Sequence, residues 1–568
     1  MQGQERHGQS ATRLRPRCVI VVAAEGGADA LLRRLLPELS AGGYDVRSIA
    51  KIALAVQPTP GSITVRSSPQ RDVILLGNMV SEAVGPDEAM DWAVSAVVAE
   101  RWKQLKALQG VFVLAVVDWA AGAVTVVGDM LGIRPFYVSQ RQGTIILSDR
   151  AEVPLRLGGG RIDPLGLGGW LYFGTPLVER TVFDGVQRIP AASVMTLEGH
   201  STRRSEYWTP PVAEEPIGVE ALMDGVYGDF AASVRRLLAP YDRATVLLSG
   251  GFDSRLSLLT VLRQGRVKLE AVTVPYNHAE RQLAGQLAEM TGVPCRRIEP
   301  GGSVWDAFDS MWYVHPDGFP ITKNLTYLCA TAPGASGPFI DGSISSVAIR
   351  CLTADPPDGP PADQEAARSF VWKAHAHWNP HIFFKPAIGE RVAALGRQAA
   401  DELSDAIGWH SKFCLRWDTC QDERRYTPIN FLQYEHLAPS VQPFYDRALI
   451  ERRLRHPNRL FTKDSYHGML KRQFGNPGAL PHSSDLPKGR DLTYVFSRAL
   501  WKQLPAAMRF AWRHRDVFNT RWLLPRLAAY GAGRSGQMYL LKGLLRLVML
   551  ERELNRCGME LDFHNLLA

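Results

Sequence analysis

The sequence predicts an α/β protein in which antiparallel sheets fill the first part of the chain and a parallel sheet flanked by helices fills a later part. Three observations predict it. Apolar, β-branched runs separated by short turns occupy most of the stretch before residue 150. From about residue 243 the pattern switches to strand, helix, strand, helix. Beyond residue 364 the chain is mainly helical and increasingly basic. At roughly 150 residues per domain, a chain of 568 residues has room for about two to four domains with cores of their own. Its 46% hydrophobic and 21% charged residues exclude disordered and fibrous classes.

Taken in order, a basic polar stretch to Arg17 reads as a disordered tail rather than a signal peptide, because the apolar run after it is soon broken by Glu25 and two glycines. Strands follow at residues 19–24, 73–77, 111–118, 124–129, 136–139 and 144–148, with hairpin turns such as AAGA and RQGT between the later ones. A helix is expected over 87–108. The Pro- and acid-rich TPPVAEEP after Trp208 marks a boundary, so residues 1–210 and 211–568 are taken as two domains, the second opening on a helix near Gly218. RATVLLSGG reads as a strand, SRLSLLTVLRQG as a helix stopped by Gly265, LEAVTV as a second strand, AERQLAGQLAEMTG as a second helix and CRRI as a third strand. The Pro- and Asp-rich residues 353–364 read as an exposed loop. MYLLKGLLRLVML at 538–550 carries Lys542 and Arg546 and is too short to span a bilayer, so it reads as a helix packed on the protein.

Charge and cysteines constrain the partners. Lys plus Arg number 65 against 57 Asp plus Glu, an excess spread along the chain and not interleaved with stacking aromatics, which argues against nucleic acid. Seven cysteines without a C-x-x-C pair read as reduced thiols in a cytoplasmic protein, with no metal site built from them.

Chemistry concentrates at Ser249, Gly250, Gly251, Phe252, Asp253 and Ser254, which directly follow a strand and open a helix. Two glycines let backbone N–H groups curl round a phosphate, the serines add hydroxyl donors and the helix N-terminus adds its positive end. Asp253 would repel a phosphate, so a bridging divalent cation accounts for it. A Gly-Gly turn capped by Ser254 is the plain structural alternative. The loop is neither a Walker A sequence nor a Rossmann fingerprint.

This SGGxDS loop resembles the pyrophosphate loop of ATP pyrophosphatases. LQGVFVLAVVDWAAGAVTVVGDMLGIRPFYV at 108–138 resembles the asparagine synthetase pattern L-x-G-x-F-x-x-x-x-x-D followed by D-x-x-G-x-x-P-L-Y-Y. Residues 181–208 resemble that family's T-x-F-x-G-I-x-x-L-P-P-G segment with its closing Tyr-Trp, and Gln442–Asp446 resembles V-P-F-L-D. The chain is thus identified as a member of the asparagine synthetase family. The resemblance implies an N-terminal glutaminase-like αββα sandwich, a synthetase domain, ATP and Mg2+. Departures refine the expectation. Glutamine-dependent members begin with Cys, whereas this chain begins Met1, Gln2; Cys18 would become terminal only after processing, and the glutamine-holding motifs are missing. The glutaminase-like domain is therefore read as degenerate, and the amine as one the substrate already carries.

Among such members the chain most resembles the lasso-peptide macrolactam synthetases. That resemblance implies adenylation of an Asp or Glu side-chain carboxyl of a precursor peptide, attack by the peptide's N-terminal amine, and a transient complex with a leader peptidase. A small-metabolite ligase like the β-lactam or asparagine synthetases and a non-catalytic ATP-binding partner protein stay open as alternatives.

Roles carry over residue by residue. Ser249, Gly250, Gly251, Asp253 and Ser254 match the pyrophosphate loop, with Asp253 the metal ligand. Leu247 and Val274 match adenine-contacting strand ends, although sheet core explains them equally. Glu280 matches an acid opening the second helix. A second family loop, G-E-G-x-D-E, falls on Gly342 to Val347; Ser346 stands where the metal-binding Asp belongs, and Asp341 is the nearby acid. Lys488 in LPKGRDLTY matches a lysine near the α-phosphate, and Glu435 and Tyr434 are the candidates for deprotonating the amine. His315, His436 and His467 are read as structural.

Overall fold

The computed structural model describes residues 16–37, 39, 43–59, 61–157, 160–212, 215–273, 278–297, 337–349, 361–376, 382–428, 432, 438–486, 503–531, 538–556 and 558–563. Its first part is a sandwich of β1 (Cys18–Ala23), α1 (Ala28–Leu35), β2 (Asp45–Ile49), β3 (Ile52–Val56), β4 (Ile63–Ser67), β5 (Arg71–Gly77), β6 (Val80–Ser81), α2 (Ala89–Val98), β7 (Leu108–Gln109), β8 (Phe112–Asp118), β9 (Ala123–Gly128), β10 (Tyr137–Arg141), β11 (Thr144–Ser148), α3 (Pro164–Phe173), β12 (Val186–Arg188), β13 (Ser193–Glu198) and β14 (Ser201–Glu206). One antiparallel sheet runs β12-β10-β11-β1-β3-β2 and the other β14-β13-β9-β8-β5-β4.

The period of two along each strand explains the layering. Cys18, Ile20 and Val22 of β1 meet Val113, Ala115 and Val117 of β8 between the sheets. Val19, Val21 and Ala23 turn outward onto Ala28, Leu32 and Leu35 of α1, while Leu114 and Val116 of β8 turn outward onto Met90, Ala93 and Val97 of α2. The result is helix, sheet, sheet, helix. The helix expected over 87–108 is shorter than the sequence implied. It ends at Val98, and Glu100 takes φ 52, which an α-helix cannot accommodate, before a 3-10 turn at Trp102–Ala107.

The second part starts with α4 (Val219–Leu238) and builds a parallel sheet from β15 (Arg243–Leu247), α5 (Phe252–Gln264), β16 (Lys268–Thr273), α6 (His278–Thr291), β17 (Cys295–Arg297), β18 (Phe339–Ile340), α7 (Ser345–Ala348), α8 (Gln364–His375), α9 (Pro386–Ile407) and β19 (Ser440–Val441). The order is β17-β16-β15-β18-β19 and every pairing is parallel. Gly265 stops α5 in the left-handed conformation at φ 61, as the sequence implied. Asp363 caps α8 through Ala366 N–H, so the loop placed at 353–364 gives way to helix at Gln364; residues 353–360 lie outside the described residues.

The helix Met538–Arg556 buries Leu540, Leu541, Leu544, Leu545 and Leu550, and its Arg546 lies over the Trp170 ring at 4.6 Å. It packs on the protein as expected. Among the described residues no helix is long and apolar enough to cross a membrane. Glycines let α3 and α9 touch closely: a Cβ on Gly396 would stand 2.4 Å from the Tyr172 ring, and one on Gly168 would stand 2.7 Å from Leu395.

Two motifs far apart in sequence tie the sandwich to the parallel sheet. Tyr445 Oη donates to Asp129 Oδ1 at 2.6 Å and accepts from Leu131 N–H, also at 2.6 Å, while Ile133 and Arg134 N–H donate to the same carboxylate at 2.8 Å. Nearby, Arg424 pairs with Glu179 at 2.5 Å and donates to the carbonyls of Gly132 and Ile189. Burial would raise the Glu179 carboxyl, but Arg424, then Arg425 and Arg188, bring it below the usual glutamate range.

A depressed acid stabilises the fold above its unfolded pKa and loses that contribution as pH falls through its folded value. Glu179→Gln should therefore lower stability near neutral pH by about 3 kcal/mol, because Arg424 stays buried without its partner. The deficit should shrink as pH falls below about 4. Urea unfolding across the pH range measures this, and a deficit independent of pH would show that the pair does not stabilise the junction.

Candidate functional site

In a parallel sheet the strand order reverses where neighbouring connections leave on opposite sides, and the carboxyl ends there open a crevice. Here the reversal lies at β15, which pairs with β16 on one side and β18 on the other. The turn after β15 carries Ser249, Gly250 and Gly251, and the turn after β18 carries Asp341, Gly342 and Ser343. The second loop touches the start of α5: a Cβ on Gly342 would stand 3.0 Å from Asp253 Cβ and 3.3 Å from Ser254 N. Glycine at 342 is what lets the second loop lie against the start of α5.

The first loop is braced from inside and behind. Ser254 Oγ donates to the Ser249 carbonyl at 3.0 Å and accepts from Ser249 N–H at 3.1 Å; the two hydroxyls lie 3.1 Å apart. Gly251 N–H donates to Ser249 Oγ at 3.2 Å. Gly250 presses on the first turn of α6, where a Cβ would come within 3.0 Å of Glu280 Cα and of a Leu283 methyl. Asp253 follows in the first turn of α5, where the helix dipole favours an acid.

In the second loop Asp341 Oδ1 accepts from Ser343 N–H at 2.8 Å and from Ser343 Oγ at 2.9 Å, which folds the loop on its own carboxylate. Ile344 stands where the second glycine of G-E-G-x-D-E would fall, and it takes φ 69 although it is β-branched and buried. Ser346 lies in the short α7.

The structure brings together Ser249, Gly250, Gly251, Asp253, Ser254 and Gly342, with Asp341 and the backbone of Glu280 beside them and Leu247 ending β15. Val274, Tyr434, Glu435 and Lys488, with His315 and His436, lie outside the described residues. Among the described residues no three His, Cys, Asp or Glu side chains form a ready-made metal cage. Mg2+ is characteristically held by one or two carboxylates together with phosphate oxygens and water, and Asp253 facing the Asp341 loop fits that donor set.

Arg255 was not singled out by sequence. It is 1% exposed, and its guanidinium donates to the carbonyls of Gly250 at 3.4 Å, Gly478 at 3.3 Å, Pro481 at 2.8 Å and Leu480. The available signal was a lone cation in a helix whose residues from Ser254 to Val261 are otherwise uncharged.

Cys18 lies apart from this site. It is buried between the two antiparallel sheets, its N–H donates to Asp149 Oδ1 at 3.1 Å, and burial together with the Asp149 charge pushes its thiol well above the usual range. That environment opposes a thiolate.

Residues 93–208 match the family model of a glutamine amidotransferase domain, a segment that starts well after Cys18. No curated protein matches the chain. Among solved structures, a glutamine phosphoribosylpyrophosphate amidotransferase from B. subtilis, complexed with ADP and GMP, is similar at 10% identity over 61% of this chain and 74% of that one, with a TM-score of 0.21. A structure described as the allosteric regulatory enzyme of purine biosynthesis is similar at 11% identity over 61% of this chain and 73% of that one, also at 0.21. The family match gives the first part of the chain an amidotransferase-type domain.

In the native protein a thiol reagent should label exposed Cys295 rapidly and Cys18 only on unfolding. Peptide mapping after brief alkylation checks this; rapid labelling of Cys18, with glutamate released from glutamine, would restore it as a nucleophile. For the Mg·ATP site expected from the sequence, Asp253→Ala should abolish Mg2+-dependent ATP binding. Ser249→Ala should weaken it partially, by about 1.5 to 3 kcal/mol, the range for a hydrogen bond to a charged group. Calorimetric titration with Mg·ATP separates the two.

Proposed function

We propose that the chain is an ATP-dependent, AMP-forming carbon–nitrogen ligase that activates a carboxyl group as its adenylate and joins it to an amine carried by the substrate. More finely, we read it as a macrolactam synthetase that links an Asp or Glu side-chain carboxyl of a precursor peptide to that peptide's N-terminal amine. The observation that carries the reading is the approach of Gly342, in the loop after β18, to Asp253 and Ser254 at the start of α5, directly after the Ser249–Gly251 loop at the switch point of the parallel sheet. The burial of Cys18 supports an amine that does not come from glutamine. The sequence resemblance supports the peptide as substrate, and a leader peptidase as the transient partner that delivers it.

In the first step a carboxylate oxygen attacks the α-phosphorus and the bond to pyrophosphate breaks. The Ser249, Gly250 and Gly251 loop with the Ser254 hydroxyl would hold the departing pyrophosphate, whose charge the N-terminus of α5 favours. Mg2+, held by Asp253, would neutralise phosphate charge. In the second step the amine attacks the acyl carbon, AMP leaves, and Glu435 or Tyr434 would take the amine proton. Lys488 would stabilise negative charge that grows at the α-phosphate in both steps. Leu247 and Val274, at two strand ends, would flank the adenine.

Mg·ATP with candidate precursor peptides should yield AMP, pyrophosphate and a peptide lighter by one water, without glutamine. ADP formation, or a strict need for glutamine, would overturn the reading; turnover only with a small amino acid would replace the peptide by a metabolite. Lys488→Ala should lower kcat about 10² to 10³ fold and leave ATP affinity nearly unchanged, because the charge it meets develops in the transition state. Lys488→Arg should restore only part of the rate. Single-turnover kinetics measures both, and unaltered rates in Lys488→Ala would remove the residue from the mechanism.

A further inference from the structure

A fully buried guanidinium is costly unless its donors are satisfied. Those of Arg255 go to four main-chain carbonyls. One is Gly250, inside the loop; the other three are Gly478, in the short helix Asn476–Ala479, and Leu480 and Pro481, directly after it. The side chain joins two pieces of backbone more than 200 residues apart. Its neighbour Phe252 reinforces the joint, with His467 stacked at 5.0 Å, His482 edge-on at 4.8 Å and the Arg255 guanidinium 5.1 Å away.

The bond to Gly250 has a directional consequence. A trans peptide is planar, and its C=O and N–H point to opposite sides. Drawing the Gly250 carbonyl back toward Arg255 therefore turns the Gly251 N–H forward into the loop, where Ser249 Oγ receives it at 3.2 Å. Burial lowers the guanidinium to about 10, so it remains charged at neutral pH. A fixed charge behind the loop acts through a poorly polarisable medium, in which attraction to an anion is stronger than in water.

We propose that Arg255 is a positioning residue that fixes the orientation of the Gly250–Gly251 peptide, and with it the shape of the loop read above as holding pyrophosphate, and locks that loop to the backbone at 478–481. The inference rests on the ATP reading above and adds to it the device that orients the loop. Lysine cannot reproduce it, because a compact ammonium on a flexible stem does not span carbonyls from two segments.

The test compares wild type, Arg255→Gln and Arg255→Lys in the full chain. It measures affinity for Mg·pyrophosphate by calorimetry, affinity for adenosine by ligand-observed NMR, and Tm. Arg255→Gln should weaken Mg·pyrophosphate about tenfold or more while adenosine affinity stays the same. Arg255→Lys should keep the charge and the fold yet recover only part of the loss, and it supplies the reading where Arg255→Gln melts below the assay temperature. Unchanged pyrophosphate affinity in both variants, or equal loss of pyrophosphate and adenosine, would overturn the positioning role. A wild-type protein that binds neither pyrophosphate nor ATP would overturn the nucleotide reading, and this inference with it.

Discussion

The site depends on one packing constraint: β15 is paired in parallel on both sides, so the loops leaving β15 and β18 emerge next to each other and have to fit in the same space. Glycine at 250 lets the first loop sit on α6, and glycine at 342 lets the second sit on the start of α5. Neither contact tolerates a Cβ without movement of backbone or of a packed side chain. Backbone donors, two serine hydroxyls and two carboxylates are thereby concentrated at one end of the sheet. Arg255 holds this arrangement from behind, and its bonds reach a segment that is distant in sequence.

The antiparallel sandwich is tied to the parallel sheet by buried polar contacts. Its one candidate nucleophile, Cys18, faces the inter-sheet core, where burial and Asp149 disfavour the thiolate. Its Asp129 loop, by contrast, is fully engaged, since Tyr445 and two N–H groups bind the same buried carboxylate. Tyr445 lies three residues after Gln442 on the strand-end segment that follows β19, so the bond fixes the far side of the parallel sheet to the sandwich. Arg424 and Glu179 make a second junction with the same loop through Gly132.

Local signals made much of this legible in the sequence. The apolar runs of β1 and β8, the Gly265 stop and the place of Ser249–Gly251 between a strand and a helix are written in residues close together in the chain, and the structure bears them out. The end of α2 was harder to read, because Glu100 carries no glycine or proline to announce its left-handed turn. Long-range pairings were not legible at all. The approach of Gly342 to Asp253, the Asp129–Tyr445 bond and the carbonyl partners of Arg255 join positions between about ninety and more than three hundred residues apart, and a sequence pattern carries no register for such contacts. The second loop was likewise hard to read: Ile344 holds the left-handed conformation without the glycine that usually marks it.

In the proposed reaction a substrate carboxylate oxygen attacks the α-phosphorus at this switch point. A peptide labelled with 18O in its Asp or Glu side-chain carboxyl, incubated with Mg·ATP and no glutamine, tests it most directly by mass spectrometry of the nucleotide and phosphate products. The expected result is one 18O atom in AMP for each amide bond formed, with unlabelled pyrophosphate. Label in inorganic phosphate alongside ADP would contradict it, since that would place the attack on the γ-phosphorus.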